Sequence, residues 1–185
     1  MRNVIFGINL TIDGCCDHTK GIGSEDVHEY FTNLMRNVDL LVYGRKTYEL
    51  MVPFWPDVAK NNSGGTKTMN EFAHIFTAID KVVFSQTLSG TEEKNTRIVR
   101  TGLREEILKL KQQDGKNIST GGVALPTQLM KLGLIDEYYI VVHPIVAGEG
   151  RRLFDNTSLQ ERLQLKLVDT KTLLSGCVAL HYLKQ

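Results

Sequence analysis

The sequence is short of cysteine, proline and tryptophan and has no long apolar run. Its three cysteines, Cys15, Cys16 and Cys177, are an odd set without framework spacing. That argues against a disulfide scaffold and for reduced thiols in a cytoplasmic protein. Cys15-Cys16 reads as two small residues in a loop, and no Cys/His group has the spacing of a zinc site, so no metal is expected. No stretch approaches the ~20 apolar residues that cross a bilayer. Met1–Gly7 has neither a long apolar core nor a small-residue cleavage site, so it reads as a first strand, with no membrane attachment or export expected. A charge excess is missing too: 22 basic residues face 21 acidic ones, for a net charge of +1. Proteins that grip nucleic-acid phosphates usually carry a basic stripe. Arg97, Arg100 and Arg104 cluster, but Glu105 and Glu106 follow at once, and the group reads as solvated surface. Two common nucleotide signatures are also absent. Gly148-Glu-Gly150 lacks the third glycine of G-x-G-x-x-G, and no P-loop occurs.

What is present is an alternation of strand and helix patterns. With 185 residues, 42% of them apolar, the chain can bury a sizeable core, and residues 1–185 read as a single domain. Residues 3–12 are β-branched and apolar, as in a buried strand. Ser24 is a candidate N-cap for a helix whose apolar face runs Val27, Tyr30, Phe31, Leu34, Met35 and Val38. Asp39–Tyr43 reads as a strand ended by Gly44, with a helix over Arg45–Met51 that Pro53 and Pro56 stop. Residues 60–66 read as an exposed loop and Met69–Phe76 as a short helix. Strands follow at Lys81–Ser85 and Arg97–Arg100. Thr101 is a candidate cap for a helix bearing Leu103, Ile107, Leu108 and Leu110. Lys116–Ser119 is a strand running into Gly121-Gly122. The helix after it carries Leu125, Leu129, Met130 and Leu132 and is closed by Gly133. Glu137–His143, the alternating Leu163, Leu165 and Leu167, and Cys177–Leu183 read as closing strands. This order predicts an α/β fold with a mostly parallel sheet and an antiparallel C-terminal edge.

Two places share one arrangement of buried strand, glycine and helix start: Leu40–Thr47 around Gly44, and Asn117–Ala124 around Gly121-Gly122. Free N–H groups at a helix start attract anions, and glycine lets the backbone approach phosphate closely. Arg45 and Lys46 add charge and Thr47 a hydroxyl. Each site alone can equally be a tight turn. Two of them at the carboxyl ends of parallel strands can hold a pyrophosphate between them.

Val42–Glu49, Lys81–Gln86 and Ser119–Gly122, in this order and spacing, resemble the three cofactor motifs of the dihydrofolate reductase fold. Asn9–Gly14, Leu132–Glu137 and His143–Phe154 resemble one branch more closely. That branch is the C-terminal reductase domain of the bifunctional riboflavin-biosynthesis deaminase-reductase, here as a stand-alone member, since the deaminase signature is absent. The resemblance covers essentially the whole chain. It implies a three-layer αβα fold, a homodimer and NADPH as cofactor. It implies phosphate contacts from Gly44, Arg45, Lys46 and Thr47, and Ser85 and Gln86 near the adenosine 2′-phosphate. Gly121, Gly122, Val123, Ala124 and Leu125 would cover the pyrophosphate, with a cis peptide between the glycines. Asn9 and Cys16 would offer backbone contacts to the nicotinamide amide.

On the substrate side the chain departs from these families. Where dihydrofolate reductases place a carboxylate in the second helix, spacing puts His28, a side chain that exchanges protons near neutral pH but at a helix edge is more often a surface residue. Where the riboflavin branch has a glutamate before the glycines, this chain has Thr120. Asp13 matches the branch, as a second candidate for proton supply or as a turn residue. Phe54 and Trp55 are candidates for flat apolar walls around a heterocycle, or for loop packing. The expected function is NADPH-dependent reduction of a small heterocyclic or carbonyl substrate. It would resemble the 5-amino-6-(5-phosphoribosylamino)uracil reductase domain of riboflavin biosynthesis. The alternatives are a dihydrofolate reductase-like reductase of another substrate and a non-catalytic NADPH-binding protein.

Overall fold

The computed structural model describes residues 1–155, 159 and 161–185. Eight strands form one sheet: β1 (Val4–Thr11), β2 (Val38–Gly44), β3 (Asp80–Phe84), β4 (Thr96–Val99), β5 (Asn117–Thr120), β6 (Glu137–His143), β7 (Leu165–Thr172) and β8 (Val178–Lys184). Their order is β4-β3-β2-β5-β1-β6-β8-β7. The six strands from β4 to β6 are parallel, and β8 and β7 add antiparallel at one edge. Among the described residues six α-helices connect them: α1 (Glu25–Met35), α2 (Arg45–Met51), α3 (Phe54–Asn61), α4 (Lys67–Ala78), α5 (Leu103–Gln112) and α6 (Ala124–Lys131). Among the described residues, no helix is long and apolar enough to cross a membrane.

The central strands are apolar run-through because both sheet faces are covered. Val4, Phe6, Leu40, Val42, Val82 and Ile118 pack on one face with α5 and α6, through Ile107, Leu110, Leu125 and Leu129. Ile5, Leu41, Tyr43 and Val83 pack on the other with α1 and α4, through Met35, Phe72, Ala73 and Phe76. Burying one such side chain fully is worth about 1.5–3 kcal/mol. This two-faced core fixes the sheet and therefore where its strand ends meet. α6 stops as its pattern predicts. Gly133 has φ +66°, and the Leu134 and Gly133 amides donate to the Leu129 and Met130 carbonyls at 2.9 and 3.0 Å, which closes the helix end with a left-handed glycine.

Several local expectations change. α2 ends at Met51, just before Pro53, as read from the prolines, but Pro53 and Pro56 also begin α3, at its N-cap and in its first turn, where a missing N–H leaves no bond unmade. Lys60 and Asn61 end α3, so the loop read over residues 60–66 is shorter, at 62–66. Asn62 closes α3 in the left-handed region, and the Thr66 hydroxyl accepts from the Met69 amide to cap α4, which runs longer than its apolar pattern suggested. Ser24 stands at the N-cap of α1 without a side-chain cap bond, and Val38 belongs to β2. Thr101 is not the cap of α5; Gly102 is, at φ +69°. β7 does not alternate buried and exposed positions; every residue after Leu165 is exposed, and the strand is the sheet edge, paired with β8 alone among the described residues.

Candidate functional site

β2 and β5 lie side by side, yet the chain leaves β2 towards β3 and β5 towards β6. Such a switch point opens a crevice beyond the carboxyl ends of the strands. Both glycine turns lie there, since Val42 is in register with Thr120. A Cβ on Gly44 would stand 3.6 Å from that of Leu125. Gly122 has φ +78°, and a Cβ on it would fall 2.1 Å from the Thr47 hydroxyl oxygen. The peptide between the glycines is trans, not cis.

A cavity of about 550 Å³ opens on one side of this junction. Gly44, Arg45, Lys46 and Thr47, then Ser85 and Gln86, then Val123, Ala124 and Leu125 all line it, so three distant segments of the sequence converge. Arg100, Thr101, Gly102 and Arg151 join them, which a reading of the sequence missed. α2, α5 and α6 all begin here, and among the described residues no side chain caps their first N–H groups. Open helix starts with aligned dipoles favour an anion. The Ser85 oxygen accepts from the Thr87 and Leu88 amides at 3.2 and 2.9 Å, leaving its own O–H to donate. Arg100 donates to the Gln86 and Leu88 carbonyls at 3.2 and 3.0 Å, which aims its guanidinium. Among the described residues no Asp or Glu lines this cavity. A cationic, acid-free space with three open helix starts fits a phosphorylated dinucleotide.

A second cavity, of about 600 Å³, adjoins the first, and Thr47 lines both. Gly121 and Gly122 face this second one. So does β1, whose pairing with β5 ends at Phe6 and Thr120, so that one edge of Gly7–Thr11 borders the cavity. Asn9, Cys16, His28, Phe54, Trp55 and Thr120 line it. The Cys16 amide is already engaged, donating to the Arg151 carbonyl at 2.8 Å, and burial pushes its thiol pKa up. Its backbone N–H is therefore not open to a nicotinamide. The Trp55 ring packs on Phe54 and Phe72, with centroids 4.9 and 4.6 Å away. Thr120 is 1% exposed, and its hydroxyl has no hydrogen-bond partner among the described residues. His28 Nδ1 lies 3.0 Å from the Ser24 carbonyl. A carbonyl only accepts, so Nδ1 carries hydrogen and Nε2 is the atom that gains or loses a proton.

Other acids near His28 are occupied elsewhere. The Asp26 carboxylate accepts from the Ser175 amide at 2.7 Å, tying α1 to the β7–β8 turn. Partial burial raises its pKa, but the neighbouring Ser24 and Ser175 groups outweigh that and hold it at about 2. Asp13 lines neither cavity. Its carboxylate accepts from the Thr11 hydroxyl at 2.6 Å and from the Ala147 and Gly148 amides, both at 3.0 Å. These bonds, the Thr11 one foremost, hold it well below the usual carboxylate range. An acid held ionised this firmly is no proton source near neutral pH. It clamps the loop after β1 to the loop after β6 instead.

His143 was missed as a site residue. It is 2% exposed and lines the second cavity. The Ile22 amide donates to its Nδ1 at 3.0 Å, so Nε2 carries the hydrogen and donates to Asn9 Oδ1, also at 3.0 Å. Burial lowers its pKa against the pull of Asp26. The ring is thus a neutral strut between β1, β6 and the loop before α1. The signal in the sequence was a lone polar ring closing an apolar strand run.

Sheet order and site place the molecule among dihydrofolate reductase-like α/β proteins. The sequence profile of the RibD C-terminal domain matches residues 2–179, and the chain belongs to that family. An uncharacterized protein of Bacillus subtilis (strain 168), YyaP, is 33% identical, covering 98% of this chain and 94% of the relative. A Shewanella sp. PV-4 structure, described as a candidate riboflavin biosynthesis protein, superimposes with a TM-score of 0.75 at 22% identity, covering 100% of this chain and 99% of the other. The Thermotoga maritima deaminase/5-amino-6-(5-phosphoribosylamino)uracil reductase gives 0.67 at 12% identity, covering 100% of this chain and 57% of the other. Dihydrofolate reductase from Enterococcus faecalis complexed with NADP(H) gives 0.57 at 14% identity, covering 99% and 96%. These structural likenesses establish the fold.

Proposed function

We propose that the chain is an NADPH-dependent reductase of a small heterocyclic or carbonyl compound, working as one domain in the cytoplasm. The observation that carries this reading is the convergence of three uncapped helix starts with Arg45, Lys46, Arg100 and Arg151 on one cavity, which opens past Thr47 onto an apolar one. Gly44, Arg45, Lys46 and Thr47 hold phosphates together with the backbone of Gly121–Leu125. Ser85, Gln86 and Arg100 surround the 2′-phosphate, and the open edge of β1 at Asn9, with the Cys16 carbonyl, meets the nicotinamide amide. When bound, NADPH supplies a hydride.

Phe54, Trp55 and Thr120 orient the substrate beside the junction. The reducible carbon gains the hydride, and its double-bonded nitrogen or oxygen gains one proton, which His28 delivers from Nε2. The loss of absorbance at 340 nm against a panel of pterins, pyrimidines, quinones and ketones tests this. His28→Asn is expected to cut kcat by about 10²-fold with NADPH affinity unchanged. NADPH binding without turnover of any compound would favour a non-catalytic NADPH-binding protein instead. The exposed edge strand β7, with Leu167 and Val168 each 49% exposed, supports pairing of two copies. Sedimentation velocity should show a dimer, and a species of 20.8 kDa would refute it.

A further inference from the structure

The two cavities differ in charge, and the difference restricts what the second one takes. The first carries Arg45, Lys46, Arg100 and Arg151. Among the described residues, no lysine or arginine lines the second, and the sequence at 156–158 and 160 reads Asn, Thr, Ser and Gln. The second cavity's one carboxylate is Asp17. The Thr19 amide and hydroxyl hold it below the usual range, so it is a negative charge at the rim. The α1 helix start borders the same cavity through Gly23 and Val27, but its first turn carries Glu25 and Asp26, which oppose an anion there. The deeper walls are apolar, with Phe31, Leu34, Met35, Met51 and Trp55 among them.

A phosphomonoester carries close to two negative charges at neutral pH. Here it would meet no lysine or arginine, only the imidazoles of His18 and His28, and would sit near the ionised Asp17, an arrangement that folded proteins avoid. We infer that the second cavity takes a flat, non-phosphorylated substrate with an apolar body and no anionic group. The phosphoribosyl compound reduced by the Thermotoga enzyme is then not its substrate. The inference rests on the first cavity being the cofactor site, which keeps the four cations there out of substrate binding.

Trp55 is the chain's one tryptophan and stands in the second cavity's wall, so its fluorescence reports occupancy of that cavity. The full chain is titrated with pairs that differ by one phosphomonoester, riboflavin and FMN or pyridoxal and its 5′-phosphate, with and without saturating NADP⁺. The unphosphorylated member should bind at least tenfold more tightly, whether or not NADP⁺ is present. Leu50, on the same wall and 48% exposed, tolerates a long polar side chain, and Leu50→Lys should close that gap by about tenfold. Equal or tighter binding of the phosphorylated member with NADP⁺ saturating would overturn the inference. So would a gap that Leu50→Lys leaves unmoved, or quenching by neither member of any pair. A failure of NADP⁺ itself to bind would count against the cofactor reading, while the paired comparison still decides the charge preference.

Discussion

Gly122→Ala is expected to weaken NADPH binding by at least about 100-fold and to lower Tm. At φ +78° an added Cβ meets the Thr47 oxygen at 2.1 Å, so the backbone strain of about 1–2 kcal/mol for a left-handed non-glycine residue is joined by a clash. Relief comes only by moving Thr47, the residue shared by both cavities. Hydrogen bonds to a charged phosphate are worth about 1.5–3 kcal/mol each, and two of them lost amount to roughly 100-fold or more. Calorimetric titration and a thermal melt check this. Adding Thr47→Ala should recover part of the Tm, because it removes the clashing oxygen, without restoring affinity. Unchanged NADPH affinity in Gly122→Ala would mean that the glycine turn is structural only.

Arg100→Ala should abolish most of the preference for NADPH over NADH, by about 10- to 100-fold, through loss of one or two charge-assisted hydrogen bonds. NADH affinity should change little. The guanidinium is already oriented by the Gln86 and Leu88 carbonyls, next to Ser85 and Gln86 in the cavity. Dissociation constants for both cofactors in wild type and variant decide it. An equal loss for the two would place Arg100 in loop support rather than 2′-phosphate recognition.

Arg100 also marks where the sequence stops being legible. Gly44 and Gly121-Gly122 could be found because strand, glycine and helix start are local signals, written within eight residues or so. Arg100 sits three residues after Arg97 and close to Glu105, and nothing local separates the two arginines. The pairing of β4 on β3 does. It carries Arg100 to the cavity and leaves Arg97 paired with Glu106 on the surface. His143 has the same history, since its role needs β6 beside β1 so that its ring reaches Asn9. Asp13 shows the converse: a resemblance drew it towards proton supply, while the amides of Ala147 and Gly148, some 135 residues away, decide that it is a clamp. The prolines at 53 and 56 mark the end of α2 as read, but proline is compatible with both sides of a helix boundary, and only the structure shows that they also begin α3.

The central claim is that the cavity joining Gly44–Thr47, Ser85–Gln86 and Val123–Leu125 grips NADPH. Titrating NADPH into the wild-type chain and into Arg45→Ala while following Trp55 fluorescence tests it most directly. The account predicts a saturable one-to-one change in the wild type that weakens with added salt, and a dissociation constant at least tenfold higher in Arg45→Ala. No saturable change in the wild type, or superimposable curves for the two proteins, would contradict it.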